Sequence, residues 1–184
     1  FLALFFDMHS WLLDGFARYR DLIIFINTGL YTVNLFLTAS FAFFLLESLM
    51  EDEKKKKIYT TIINVMLICT VITRLINIKY GFFFSVDQDG VYHRGPYQFM
   101  AYFFTFTVEI MVLRMVFSQK SNRNQKTSVI AFVLFPIVAV LISFFSYGLS
   151  VTYASVTISI VMIYSAFFVE LESDKDRLLK MLGK

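Results

Sequence analysis

The chain has 184 residues, of which 58% are hydrophobic and only 17% charged, and its formal net charge is +3. Soluble domains are nearer half apolar and a quarter charged, so this composition argues against a soluble enzyme domain. One cysteine, Cys69, and two separated histidines exclude a disulfide framework and a zinc site. The basic residues lie in short clusters between apolar runs, which is typical of membrane topology and not of a nucleic-acid-binding surface.

The chain begins with an apolar stretch, residues 1–13, that is too short to cross a bilayer. It has neither an initiator Met nor a basic flank, so we expect it to be the last half of a truncated span. The next run, residues 22–49, is the first complete span. Each of these helices carries polar residues three and four positions apart, which places them on one helical face: Asp7, Ser10 and Asp14 in the first, and Asn27, Tyr31, Asn34 and Thr38 in the second.

The second complete span is residues 58–78, and the longest loop follows it, residues 79–95. Two β-prone stretches in this loop, 82–86 and 91–94, are separated by Asp87-Gln88-Asp89-Gly90. An Asp-Gly pair between such stretches predicts a β-hairpin, because glycine accepts the positive φ that the turn requires. The same acidic residues resemble the start of a calcium loop, but the ligand spacing fails and no glutamate closes it.

The third span, residues 96–117, is predicted to begin with Pro96 as its first helical residue. Its polar face includes an intramembrane carboxylate, Glu109, which is costly in hydrocarbon unless it has a function or a partner. We expect Glu109 to face inward and to pair with a donor such as Asn34, Tyr31 or an arginine on a neighbouring helix. Arginines near span ends can extend to the interface, as we expect for Arg74 and Arg114. The polar face comprises Gln98, Tyr102, Thr105 and Glu109.

Two further spans, 127–145 and 150–169, complete the predicted bundle, and Pro136 should kink the first of them. The second carries Thr152, Ser155 and Ser159 on one face and continues without a break into a charged segment. Residues 171–184 therefore look like the start of a cytoplasmic helix. Its leucines, at 171, 178 and 182, suit either a short coiled coil or an amphipathic surface helix.

The distribution of lysine and arginine indicates the orientation, because cytoplasmic loops are enriched in both. With the C-terminus inside, eleven of these residues lie in inner segments and only four in outer ones. The hairpin is then extracellular. The inner set is Lys54 to Lys57, Lys120, Arg123, Lys126, Lys175, Arg177, Lys180 and Lys184, and the outer set is Arg18, Arg20, Lys79 and Arg94.

The sequence thus predicts an all-α polytopic transmembrane bundle, residues 1–170, with an extracellular β-hairpin loop. The polar faces predict a shared interior that binds a small-molecule or lipid ligand, although the same residues also fit hydrogen bonds that only hold helices together. No catalytic constellation is visible, so we expect no catalysis within this chain, and no cofactor or metal. The candidate ligand-binding residues are Glu109, Asn34, Tyr31, Asn27, Tyr102 and Asp7.

Three stretches carry a resemblance: Trp11-Leu12-Leu13-Asp14-Gly15, Asp89 through Pro96, and Tyr147 through Tyr153. In that order they resemble the multi-span N-terminal sensor regions of bacterial signalling proteins. The resemblance implies location in the bacterial cytoplasmic membrane and a homodimer. It also implies an output domain beyond this chain, of the GGDEF diguanylate cyclase, EAL phosphodiesterase or histidine kinase type. The alternative function is a small-solute transporter or its membrane subunit, which should show broken helices or internal repeats.

Overall fold

The computed structural model describes residues 1–118, 123–145, 153–165, 168 and 175, and it is mostly helical. The chain divides into two compact units, Phe1–Val112 and Leu113–Lys184. In chain order the elements are α1 (Leu2–Leu13), a 3-10 turn (Ala17–Tyr19), α2 (Arg20–Leu49), α3 (Glu53–Tyr80), β1 (Phe84–Val86), β2 (Tyr92–Arg94), a 3-10 turn (Gln98–Tyr102), α4 (Phe103–Ser118) and α5 (Arg123–Phe145), followed by a helical segment, Tyr153–Ser165.

Among the described residues, three helical segments are long and apolar enough to cross a membrane: Ala17–Leu49, Glu53–Tyr80 and Gln98–Ser118. They correspond to the first three predicted spans. The fourth predicted span lies within α5, which continues through Pro136. The fifth overlaps Tyr153–Ser165. Its ends and most of 171–184 lie outside the described residues, although Lys175 is helical and exposed.

The prediction that Pro96 begins the third helix is wrong. Pro96 and Tyr97 form a turn, and the helical segment begins as a 3-10 helix at Gln98. The turn is fixed by a hydrogen bond from Tyr97 N to Phe82 O, at 2.9 Å. Proline can occupy a first helical position, but here a contact with the preceding loop holds the chain in a turn for two more residues.

Helices α2 and α3 form an antiparallel pair joined by a short turn. Asp52 caps α3, and its Oδ1 accepts hydrogen bonds from Lys54 N at 3.0 Å and Lys55 N at 3.1 Å. These backbone donors lower the pKa of the Asp52 carboxyl, and the N–H of Lys55 has the largest effect. Lys56 contacts Glu47 of α2 at 3.1 Å and Glu53 at 2.9 Å. The basic cluster is therefore held at this end of the helix pair.

The buried and exposed faces of α3 are inverted relative to a soluble helix. Only 22% of its apolar window is buried, and its four buried residues are Ile63, Leu67, Arg74 and Asn77. Two of these four are polar. The helix also exposes many large apolar side chains, namely Ile58, Ile62, Val65, Ile68, Ile72, Leu75, Ile76, Ile78 and Tyr80.

The predicted β-hairpin is present. Its strands β1 and β2 pair antiparallel, with Phe84 opposite Arg94 and Val86 opposite Tyr92. Alternation along β1 buries Phe84 and Val86 and exposes Ser85, as a strand with one buried face requires. The two buried side chains pack with Ile23 of α2 in a small core. The hairpin is therefore docked on the helices.

Candidate functional site

The hairpin is attached to α1 and α2 through hydrogen bonds that the chain makes over long sequence separations. Asp14, just after α1, accepts a hydrogen bond at its Oδ1 from Tyr92 N, at 2.7 Å. Next to it, Gly15 N donates to Gly90 O at 2.9 Å. At the start of α2, Arg20 Nε donates to the carbonyl oxygens of Val86 and Asp87, at 3.2 and 3.0 Å.

Helix α3 holds the other side of the hairpin through one buried residue, Asn77. Its Nδ2 donates to Phe84 O at 3.2 Å, and its Oδ1 accepts from Phe83 N at 2.6 Å. Both ends of the amide are thus used, as expected for a side chain that is only 1% exposed. Asn77 fixes the position of β1 over the end of α3.

The turn of the hairpin is organised by Asp87. Its Oδ1 accepts hydrogen bonds from Asp89 N at 3.0 Å and Val91 N at 2.9 Å, while its Oδ2 contacts His93 Nε2 at 2.7 Å. The pKa of the Asp87 carboxyl is lowered, mainly by the contact with His93 and next by the hydrogen bond from Val91 N. Both carboxylate oxygens therefore serve the turn itself.

Three aromatic side chains, one from α2 and one from each strand, form a stack. Tyr31 of α2 stacks on Phe84 with ring centroids 5.5 Å apart, and Phe84 stacks on Tyr92 at 5.7 Å. The hydroxyls of Tyr31 and Tyr92 are 3.0 Å apart and share a hydrogen bond. The pKa of Tyr92 is raised far above its usual range. The main cause is burial of its side chain, and the second is its interaction with Tyr31. Its hydroxyl consequently stays protonated.

Arg74 is the most unusual residue of the site. It is 2% exposed, and its guanidinium carbon lies over the rings of Tyr31, at 5.1 Å, and Phe83, at 4.6 Å. Its Nη2 donates to Ala101 O, so Arg74 connects α3 to the 3-10 turn before α4. Among the described residues, its Nε and Nη1 have no hydrogen-bond partner. The expectation that Arg74 extends to the interface is wrong, because the hairpin and α2 cover it.

Two of the six predicted ligand-binding residues lie near Arg74. Tyr31 contacts the guanidinium directly, and Tyr102 is close enough to interact with it electrostatically. Tyr92 joins them through the hydrogen bond between its hydroxyl and that of Tyr31. We call this group, Arg74, Tyr31, Tyr92 and Tyr102, the Arg74 cluster.

The other predicted residues are arranged differently. Asn27 is buried, but its Nδ2 donates to Ile23 O of its own helix at 2.9 Å. Thr38 likewise donates to Asn34 O, at 3.1 Å, and Asn34 is half-buried. Asp7 is half-buried in α1 and accepts a hydrogen bond at its backbone oxygen from Ser10. Each of these contacts is made within a single helix.

Glu109 is buried, as predicted, with 6% of its surface exposed. The predicted donor, Tyr31, instead pairs with Tyr92. In the part of the chain that the structure describes, Glu109 Oε2 has no hydrogen-bond partner. Its burial therefore supports the inward position, while its pairing with Asn34 or with an arginine stays a prediction.

A second feature is an open cleft of about 190 Å³ beside the hairpin. Its lining includes two cations from different helices, Arg20 and Lys79, together with Tyr80 and Ser85. Lys79 Nζ lies 5.6 Å from the Tyr80 ring centroid. Asn77 also lines the cleft, but both ends of its amide form hydrogen bonds with the hairpin. Its polar atoms are therefore not available to a ligand in the cleft.

Comparison of this chain with protein-family models, with curated proteins and with solved structures finds no match.

Proposed function

We propose that this chain is the membrane-embedded sensory domain of a bacterial signalling protein. It crosses the cytoplasmic membrane several times, with the hairpin outside and the C-terminus in the cytoplasm. It binds a small ligand under the hairpin and transmits a shift of its helices to a cytoplasmic output domain. The resemblance to multi-span sensor regions supports this assignment, and a homodimer would let two output domains meet.

The inverted faces of the helices support insertion in a bilayer. Lipid is as apolar as a protein core, so apolar side chains can face outward while polar groups must be satisfied inside. Helix α3 has this arrangement, with Arg74 and Asn77 buried and isoleucines exposed. In water, so large an exposed apolar surface would cause aggregation.

The observation that carries the sensory proposal is the attachment of one hairpin to several helices. Asp14 connects it to the end of α1, Arg20 to α2 and Asn77 to α3. A ligand that changed the position of the hairpin would therefore change the relative positions of these helices. Differential affinity for two helix arrangements is sufficient to drive such a shift.

A transporter is the alternative function. Transporters commonly bind their solute at interrupted helices near the middle of the membrane. Helices α2 and α3 run without interruption for 30 and 28 residues, and the Arg74 cluster lies under the hairpin, near one end of α3. Both features favour a sensor.

A spin label tests whether the hairpin and the cytoplasmic end are coupled. The label is placed at Lys175→Cys in a Cys69→Ser background, in nanodiscs, with Asp14 either native or changed to Ala. A sensor predicts that loosening the hairpin changes the mobility of the label, or its distance to the label of a second copy. Asp14→Asn, which keeps the acceptor oxygen, should leave the spectrum unchanged. Identical spectra for Asp14→Ala and the native chain would contradict the proposal.

A further inference from the structure

Arg74 holds more hydrogen-bond donors than its surroundings use. A guanidinium has five N–H donors in one plane, one on Nε and two on each terminal nitrogen. Ala101 O accepts from Nη2, and among the described residues neither Nε nor Nη1 has a partner. Solvent does not supply acceptors either, because the side chain is only 2% exposed.

The aromatic rings do not replace the missing acceptors. Tyr31 and Phe83 lie over the guanidinium, where a ring face attracts a cation. The N–H groups, in contrast, point outward within the guanidinium plane. Buried donors are almost always paired in folded proteins, and a buried charge needs a partner of opposite charge or a dense set of hydrogen bonds. Among the described residues, the site therefore lacks acceptors for the N–H groups of Nε and Nη1.

The Tyr31 ring that lies over the guanidinium also carries a hydroxyl. The Tyr31 and Tyr92 hydroxyls bond to each other, and such a pair has two hydrogens, of which their mutual bond uses one. Arginine pairs preferentially with carboxylate and phosphate oxygens, which accept several charge-assisted hydrogen bonds at once. The chemistry of the site thus matches a small oxyanion.

We infer that Arg74, through the donors on its Nε and Nη1, binds the carboxylate or phosphate group of the ligand. This inference rests on the proposed sensory function, for which it names the chemical class of the signal. The oxyanion reaches Arg74 when the hairpin moves, because Phe83 covers the guanidinium and Asn77 holds Phe83 in place. Binding therefore favours a displaced position of the hairpin, which links recognition to helix movement.

Binding is tested on the full chain in phosphatidylcholine nanodiscs, with benzoate, octanoate and inorganic phosphate as probes and chloride at equal ionic strength as the reference. The readouts are the melting temperature and the side-chain Nε–H signal of ¹⁵N-labelled arginine. We expect at least one oxyanion to raise the melting temperature and to shift the Arg74 signal. The affinity should fall at least tenfold in Arg74→Met, and partly in Arg74→Lys, which keeps the charge.

Two comparisons separate this role from others. Lys79→Gln removes an exposed cation from the same helix and should bind the probe normally. Asn77→Leu removes a buried residue whose amide is fully used, so it should lower the melting temperature. Arg74→Met, which removes unpaired donors, should not lower it. If Arg74→Met lowered stability as Asn77→Leu does and bound the probe normally, Arg74 would be structural and the inference overturned.

The source of the oxyanion is distinguished by the lipid. If phosphatidylglycerol nanodiscs stabilise the native chain but not Arg74→Met, and no soluble probe acts, the ligand is a lipid headgroup. If neither the probes nor phosphatidylglycerol act through Arg74, the inference is wrong.

The Lys175→Cys label separates the two proposals. Probe binding without a response of the label contradicts the sensory function alone, and a response that persists in Arg74→Met contradicts the Arg74 site alone.

Discussion

Asp14 Oδ1 accepts a hydrogen bond from the backbone N–H of Tyr92 at 2.7 Å, across 78 positions of sequence. The contact joins the end of α1 to the second strand of the hairpin. Because Tyr92 also bonds to Tyr31 through its hydroxyl, one strand residue connects α1 to the Arg74 cluster. The hairpin is thus part of the helical core and not an independent loop.

Removing this acceptor should loosen the hairpin. In Asp14→Ala the half-buried Tyr92 N–H loses its partner, which we expect to cost about 1–2 kcal/mol of the free energy of unfolding. Asp14→Asn keeps an oxygen at the same place and should cost less. Amide hydrogen exchange at Tyr92 measures the effect directly. Equal exchange rates in the native chain and in Asp14→Ala would show that the hydrogen bond does not hold the strand.

The turn of the hairpin offers a second test, with a matched pair of glycines. Gly90 has φ +82° and Gly15 has φ +84°, and both values are unfavourable for other residues. A Cβ on Gly90 would also lie 2.6 Å from the backbone carbon and oxygen of Phe16, whereas a Cβ on Gly15 would meet nothing within 4 Å. Gly15→Ala should therefore cost only the conformational penalty, about 1–2 kcal/mol.

Gly90→Ala should cost clearly more than Gly15→Ala, because the backbone of Phe16 has to move. Gly90→Val should be worse again, since a β-branched side chain is strained at positive φ. Thermal unfolding of the two alanine variants in the same nanodiscs measures the difference. If both variants lost equal stability, the hairpin turn would not approach the α1–α2 connection as closely as described.

The pH dependence of the hairpin should follow Asp87. Its pKa is lowered from the ordinary value of 3.8, first by the contact with His93. A lowered pKa in the folded state means that the carboxylate stabilises the turn above pH 3.8 and that this contribution is lost as the pH falls through the folded-state value. In His93→Ala the largest cause of the shift is gone, so loss of the turn should begin at a higher pH.

Tyrosine fluorescence and amide exchange of Val91 follow this acid transition. Asp87→Asn serves as the control, because its side chain keeps an acceptor for the Val91 N–H but does not titrate. A transition at the same pH in the native chain, His93→Ala and Asp87→Asn would assign it to another group.

Local sequence signals were sufficient for the helices and the hairpin. Apolar runs predicted five spans, and within the described residues three of them are helices long and apolar enough to cross a bilayer. The Asp-Gly pair predicted the turn between Val86 and Val91, since positive φ at Gly90 is a local requirement. The start of the third helix was misplaced, because the hydrogen bond from Tyr97 N to Phe82 O is made by residues outside the helix.

The site was predicted only in part. Tyr31 and Tyr102 were identified from their spacing on polar helical faces, and both lie near Arg74. Arg74 itself was missed, because its position near the end of an apolar helix equally suits a side chain that extends to the interface. Which alternative holds depends on whether the hairpin covers that face of α3, and the sequence of α3 does not contain that information. The available signal was the spacing of Arg74 and Asn77, two polar residues at i and i+3 on one face of an apolar helix.

The membrane topology underlies the whole account, and thiol labelling tests it most directly. Single cysteines are placed at Asp89, in the hairpin turn, and at Lys55, in the basic cluster between α2 and α3, in a Cys69→Ala background. Intact cells are then treated with an impermeant maleimide. The account predicts labelling at position 89 and none at position 55 until the membrane is permeabilised. Labelling at 55 but not at 89, or at both positions in intact cells, would contradict it.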